Sequence, residues 1–310
     1  MNILIFGGAG YIGTKLVKLL LENKFTVTVF DNLLFGADHL LFFNSNHHFN
    51  FIKGDIRDEK KLSKININKY DFVIHLASIV GYPACRSNPQ LATTTNIDGT
   101  KNILKLIHKN QKIIFASTGS NYGHQSEIVD EGSVLNPLSL YAETKVINER
   151  LISEKDNYVI YRFATAFGSS PRMRLDLLIN DFAYKAMHEG YLVVYEKKHQ
   201  RSFIHVDDIA KSILFAINNF SKMRNNIFNV GDKSMNYSKE EICNIIKSKL
   251  QKVYIHYADF DKDMDQRNYI VSYDKINKLG YKVSIDLNSG LDELFKSFSF
   301  LTKKITYSNI

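Results

Sequence analysis

The chain has 310 residues, 45% of them hydrophobic and 23% charged, with a formal net charge of +8. That composition fits one or two globular domains with a substantial core, and no apolar run is long enough to span a bilayer. Lys15, Lys18, Lys24, Lys53, Lys60 and Lys61 are scattered rather than clustered, which argues for a solvated surface and against a nucleic-acid groove. The N-terminus lacks a basic segment before its first apolar run, so it does not read as a signal peptide. Cys85 and Cys243 show no metal-ligand spacing and no disulfide framework. A cytoplasmic protein without a metal centre is expected.

In chain order, Ile3 to Phe6 reads as a short buried strand that breaks into Gly7-Gly8-Ala9-Gly10-Tyr11-Ile12-Gly13 and resumes as a helix from Thr14. Glycines in a strand-to-helix turn let the backbone approach a ligand closely, and the amides at the helix start favour a phosphate. Thr26 to Phe30 is a second strand, and Asp31 directly follows it. A carboxylate at that distance accepts hydrogen bonds from an adenosine ribose and repels a 2′-phosphate, which points to NAD rather than NADP. The plainer reading is that Asp31 caps a turn.

Strands follow at Phe49 to Lys53, Phe72 to Leu76, Lys112 to Ala116 and Val159 to Phe163, with helices at Asn96 to Lys109 and Tyr141 to Glu154. Alternation of this kind predicts an α/β fold with a doubly wound parallel sheet over residues 1–167. After Gly168 the pattern loosens, and residues 168–310 read as a smaller, partly interleaved α+β substrate portion. Asn226 to Val230 is a strand candidate for rejoining the first sheet.

Tyr141 and Lys145 share one helix face, so both can reach one site. An ammonium beside the phenol favours the phenolate, which can take a hydroxyl proton while the cofactor accepts a hydride. Tyr11 and Lys15 match the same spacing inside the glycine turn, so spacing alone decides nothing. Tyr141 has the better context, following a strand that ends in Ser117-Thr118, where open α/β sheets place ligands.

Taken together, these motifs resemble the extended short-chain dehydrogenase/reductase family, in its NAD-dependent nucleotide-sugar epimerase/dehydratase branch. The resemblance runs through Phe6 to Gly13, Gly54-Asp-Ile-Arg57, His75-Leu-Ala-Ser78, Asn96-Ile-Asp-Gly-Thr100, the Tyr141/Lys145 pair, Arg201 to Asp208 and Asn229-Val-Gly231. It implies a Rossmann-type fold, a homodimer and a nucleotide-diphosphate sugar as substrate. It also implies a cofactor site of Gly7, Gly10, Tyr11, Ile12, Gly13, Asp31, Asn32, Asp55, Ile56, Leu76, Ala77, Ser78, Asn96, Ser117, Tyr141 and Lys145. Thr118 matches the catalytic Ser/Thr, Tyr141 the base and Lys145 the residue on the nicotinamide ribose. Thr165 and Arg201 fall at substrate positions, with Arg267 a second candidate for the nucleotide's phosphates.

Two departures matter. Gly119 and Ser120 stand where family 4,6-dehydratases carry an acidic pair, which disfavours water elimination. Thr165 stands where UDP-galactose 4-epimerases carry an asparagine, so that sugar specificity is not transferred. The stretch Ser170 to Phe182 resembles a smaller branch that includes enzymes oxidising carbon 4 of GDP-heptoses for surface polysaccharides. Its Arg172 and Arg174 are candidates for the nucleotide or the sugar hydroxyls; equally, they could orient a loop against acidic neighbours. The expectation is oxidation at carbon 4 by a 4-epimerase or 4-dehydrogenase. A 4-keto-sugar reductase and a non-catalytic NAD-binding protein are the alternatives.

Overall fold

A computed structural model describes residues 1–258 and 268–309. Its centre is a seven-stranded parallel sheet built from β1 (Asn2–Phe6), β2 (Thr26–Asp31), β3 (Phe49–Lys53), β4 (Phe72–His75), β5 (Lys112–Thr118), β6 (Tyr158–Phe163) and β7 (Asn226–Val230), in the order β7-β6-β5-β4-β1-β2-β3. Strands β1, β4 and β6 are buried almost throughout, as expected of a parallel sheet covered on both faces. The two faces carry separate cores. One packs Leu16, Val17 and Leu20 of the Tyr11–Glu22 helix with Ile209 and Ile213 of the Val206–Asn218 helix. The other gathers Phe6, Phe30, Ile103, Phe115 and Ile152.

The strand order reverses between β1 and β4, each paired with the other over Ile3–Phe6 and Phe72–His75. Connections leave the sheet in opposite directions there, so a crevice opens at the strands' carboxyl ends. The expected helix from Asn96 to Lys109 differs in its start: helix Pro89–Thr93 runs through a π turn at Thr94–Asp98 into Gly99–Leu106. Pro89 opens the first segment, where its missing N–H is harmless.

The second half makes a three-stranded sheet, Asn236–Ser238, Gln200–His205 and Thr165–Phe167, and a pair formed by Tyr191–Tyr195 and Tyr254–Ala258. A further core around Phe167, Ile179, Phe203, Ile242 and Leu291 holds it together. It is interleaved with the first half, because β7 pairs with β6 and the Val206–Asn218 helix covers the large sheet.

Candidate active site

One cleft at the strand reversal is lined by residues from the glycine turn, the ends of β2, β4 and β5, and the start of the Leu140–Ser153 helix. Gly7 has φ +83°, and a Cβ there would lie 2.4 Å from the Ala77 nitrogen. Gly13 is equally constrained, its Cβ position lying 2.5 Å from the Gly8 carbonyl oxygen. Gly10 differs: the nearest protein atom to a Cβ is 3.4 Å away, so a side chain would occupy the cleft itself. The helix begins there without a side-chain cap and without an acidic residue in its first turn. Its amides therefore remain available to an anion.

Asp31 meets both readings of its role. Its carboxylate accepts from the Ala9 amide at 3.0 Å and the Leu33 amide at 2.8 Å, while also lining the cleft. Burial pushes its pKa up, against those hydrogen bonds, so further donors such as ribose hydroxyls would stabilise the anion. Asn32 lines the cleft and donates to Asp55 at 3.1 Å. Hydrogen bonding from Arg57 holds Asp55 down at about 2. Ile12, Ile56, Leu76, Ala77 and Ser78 also line the cleft.

Thr118, Tyr141 and Lys145 reach the same cleft. Ser139 caps the helix that carries the pair by accepting from the Ala142 amide. Lys145 Nζ donates to the Ala116 carbonyl at 2.8 Å and lies 5.8 Å from the centre of the Tyr141 ring. Burial pushes Lys145 down to about 7, so a cofactor's ribose oxygens would complete an under-solvated ammonium. Thr118 Oγ1 accepts from the Ser120 amide at 3.1 Å and donates to Ser120 Oγ at 3.0 Å. The other tyrosine–lysine pair is occupied elsewhere. Tyr11 donates to the Gly168 carbonyl at 2.7 Å, and Lys15 pairs with Asp207 at 2.8 Å.

Several expected contacts take different roles. Asn96 is fully buried, donating to the Ile79 carbonyl at 3.0 Å and to Thr144 Oγ1 at 3.1 Å. Its oxygen accepts from Ser78 Oγ and the Ile79 amide. With both N–H groups and its carbonyl taken, Asn96 is a strut between the loop after β4 and the Tyr141 helix. Ser117 borders the cleft, but its hydroxyl donates to buried Glu149. Arg201 is buried on Gln200–His205, opposite Tyr237, and does not line this cleft. Thr165 lines it, as do Arg172 and Arg174. Arg267 lies outside the described residues.

The sequence reading missed the support beneath β5. Glu149 receives Arg162 at 2.7 Å and Asn121 Nδ2 at 2.7 Å, and Arg162 also donates to Tyr122 at 3.0 Å. The one signal for it was Glu149 lying four residues beyond Lys145, on the same helix face. Also missed was Tyr269: a Cβ at Gly119 would come within 3.2 Å of its hydroxyl. His205, Asp207 and Glu293 bring potential metal-ligand atoms within 4.8 Å of one another. The Lys15 ammonium already lies among them, 4.0 Å from Glu293.

A sequence profile described as the NAD dependent epimerase/dehydratase family matches residues 3–231. The chain belongs to that family. It is 32% identical over 302 residues to a protein of Methanocaldococcus jannaschii named "Putative UDP-glucose 4-epimerase", covering 93% of this chain and 95% of the relative. It is 25% identical to the CDP-paratose 2-epimerase of Salmonella typhi, covering 95% of this chain and 98% of that one. Among solved structures, the UDP-glucuronic acid 4-epimerase of Bacillus cereus, with UDP-glucuronic acid and NAD bound, superposes with a TM-score of 0.86 at 26% identity. The match covers 96% of this chain and 99% of that one. The Rossmann-like fold and NAD as cofactor follow for this family member. The cleft fits that cofactor, because Gly10 leaves its side-chain space open, the helix amides are uncapped and Asp31 presents an under-satisfied carboxylate.

Proposed function

We propose that this family member is a nucleotide-sugar 4-epimerase. The observation that carries the reading is the convergence of Thr118, Tyr141 and Lys145 on the cleft that holds the glycine turn and Asp31. NAD, when bound, supplies a hydride acceptor and later a donor. The chain's own groups do the rest. The Tyr141 phenolate removes the proton of the carbon-4 hydroxyl, and Thr118 donates a hydrogen bond to the same oxygen. Lys145 supplies positive charge beside the phenol and holds the nicotinamide ribose. The relatives named for 4-epimerisation support this choice over a dehydrogenase that releases its product.

Dehydration is disfavoured on two grounds. Gly119 and Ser120 carry no acid for proton transfer to a leaving hydroxyl, and even a Cβ at Gly119 would press on the Tyr269 hydroxyl at 3.2 Å. The test is mass spectrometry of the purified protein incubated with a panel of nucleotide-sugars. The expected product has unchanged mass and a new retention time. A product lighter by two hydrogens would replace the epimerase reading with a dehydrogenase, and one lighter by water would overturn the argument from Gly119 and Ser120.

A further inference from the structure

Arg172 and Arg174 border the same cleft, but of the two only Arg174 is ion-paired among the described residues. Arg174 is paired with Asp176 at 2.5 Å through Nη2 and at 3.2 Å through Nε. Arg172 is 2% exposed, and its guanidinium stacks on Phe35 with the carbon 4.0 Å from the ring centre. Its Nη2 donates to a neutral acceptor, Asn309 Oδ1, at 2.6 Å. Its Nε is buried without a hydrogen-bond partner, and no carboxylate among the described residues forms an ion pair with it. A buried cation in this state is costly unless an anion completes it.

Its neighbours identify the anion. Phe35 sits in the loop that follows Asp31, and Asp31 is itself within electrostatic reach of Arg172. Asp31 and the glycine turn mark the adenosine and pyrophosphate portion of the cleft, whereas Thr118 and Tyr141 mark the reacting end. We infer that Arg172 binds the pyrophosphate of the dinucleotide, rather than the substrate's phosphates, and that Asn309 positions it. The inference rests on the family's use of NAD. Burial together with repulsion from Arg174 lowers the Arg172 pKa to about 10, consistent with a guanidinium lacking its counter-ion.

The C-terminal segment forms the rest of the device. Tyr307 accepts from the Leu175 amide at 2.7 Å, Asn309 Nδ2 donates to the Val80 carbonyl at 3.4 Å, and Lys304 lies 3.4 Å from Asp38. Residues 304–309 thus tie the arginine loop, the loop after β2 and the loop after β4 into one rim. A planar guanidinium fixed by stacking and by Asn309 is prepared for an oxyanion pair, which a lysine would meet only as a point charge.

The test titrates the full chain calorimetrically with ADP-ribose and with whichever of UDP, GDP, CDP or dTDP binds tightest. For Arg172→Met, ADP-ribose affinity should fall about 30- to 100-fold and nucleoside-diphosphate affinity should stay within about twofold. Arg172→Lys should recover part of the loss. Asn309→Ala, which leaves the arginine in place, should weaken ADP-ribose alone by roughly 5-fold. These two variants decide the matter if Arg172→Met does not fold. Loss confined to the nucleoside diphosphate, equal loss for both ligands, or unchanged ADP-ribose affinity would each overturn the assignment. A wild-type chain that bound no ADP-ribose would sink the dinucleotide site itself, a distinguishable failure.

Discussion

His75 shows how a motif residue can matter without touching a ligand. It is fully buried beneath the cleft, with Nε2 2.9 Å from Thr100 Oγ1. The Thr100 hydroxyl donates to the Asn96 carbonyl at 2.6 Å, so His75 must donate from Nε2, which leaves Nδ1 bare and buried without a partner. Burial, reinforced by Lys145, pushes its pKa down to about 3. The unfolded chain therefore takes up a proton near 6.5 that the folded one refuses. Stability contributed by neutral His75 is present above pH 6.5 and lost as pH falls toward 3. The loss is about 2 kcal/mol between pH 6.5 and 5. Urea unfolding of His75→Phe should show a correspondingly flatter decline over that range; an unchanged slope would assign the acid sensitivity to other groups.

Among the elements, the helix Leu140–Ser153 carries Tyr141 and Lys145, the pair to which the proposed chemistry is assigned, and its placement depends on contacts distant in sequence. Asn96 fixes its first turns through Thr144, while Glu149 anchors it to β5 and β6 through Ser117 and Arg162. Replacing Asn96 by alanine orphans the buried Ile79 amide and removes one donor from its carbonyl, which keeps the Ser78 hydroxyl; the loss is worth about 1 to 3 kcal/mol. The urea midpoint should fall accordingly, and turnover should fall with it because Tyr141 and the loop after β4 lose their common reference. A variant with normal turnover despite the stability loss would remove Asn96 from the positioning account.

Legibility follows the same division. The glycine turn, Asp31 and the Tyr141/Lys145 pair were readable because their constraints are local: a positive φ, a strand end, a helix face. The surroundings of Asn96 and Arg172 were not readable, because their partners, Ile79 and Thr144, or Phe35 and Asn309, are brought near only by folding. The pair Tyr11/Lys15 shows the converse, with the right spacing but both polar ends committed to Gly168 and Asp207. Glu149 offered only its place four residues beyond Lys145, and Arg162 offered no local pattern, because their pairing forms only when the helix packs on the sheet.

At the scale of the whole molecule, the two halves are not separable pieces. Strand β7 closes one edge of the sheet, and Ile209, Ile213 and Phe228 complete the core on the face of the first helix. Lys15 and Asp207 add a polar tie between that helix and the second half. A fragment of residues 1–167 would expose that face and leave the outer edge of β6 unpaired. It should lack a cooperative unfolding transition, whereas the full chain should show one by circular dichroism. A fragment that melted cooperatively would refute this interdependence.

The central claim is that Tyr141 removes the substrate's hydroxyl proton in concert with reduction of the cofactor. Stopped-flow absorbance of reduced nicotinamide, recorded after mixing the NAD-loaded enzyme with a nucleotide-sugar it converts, tests it directly. Tyr141→Phe should slow cofactor reduction by about 100-fold or more while ADP-ribose affinity stays within about twofold. Reduction at a near wild-type rate in Tyr141→Phe would contradict the account.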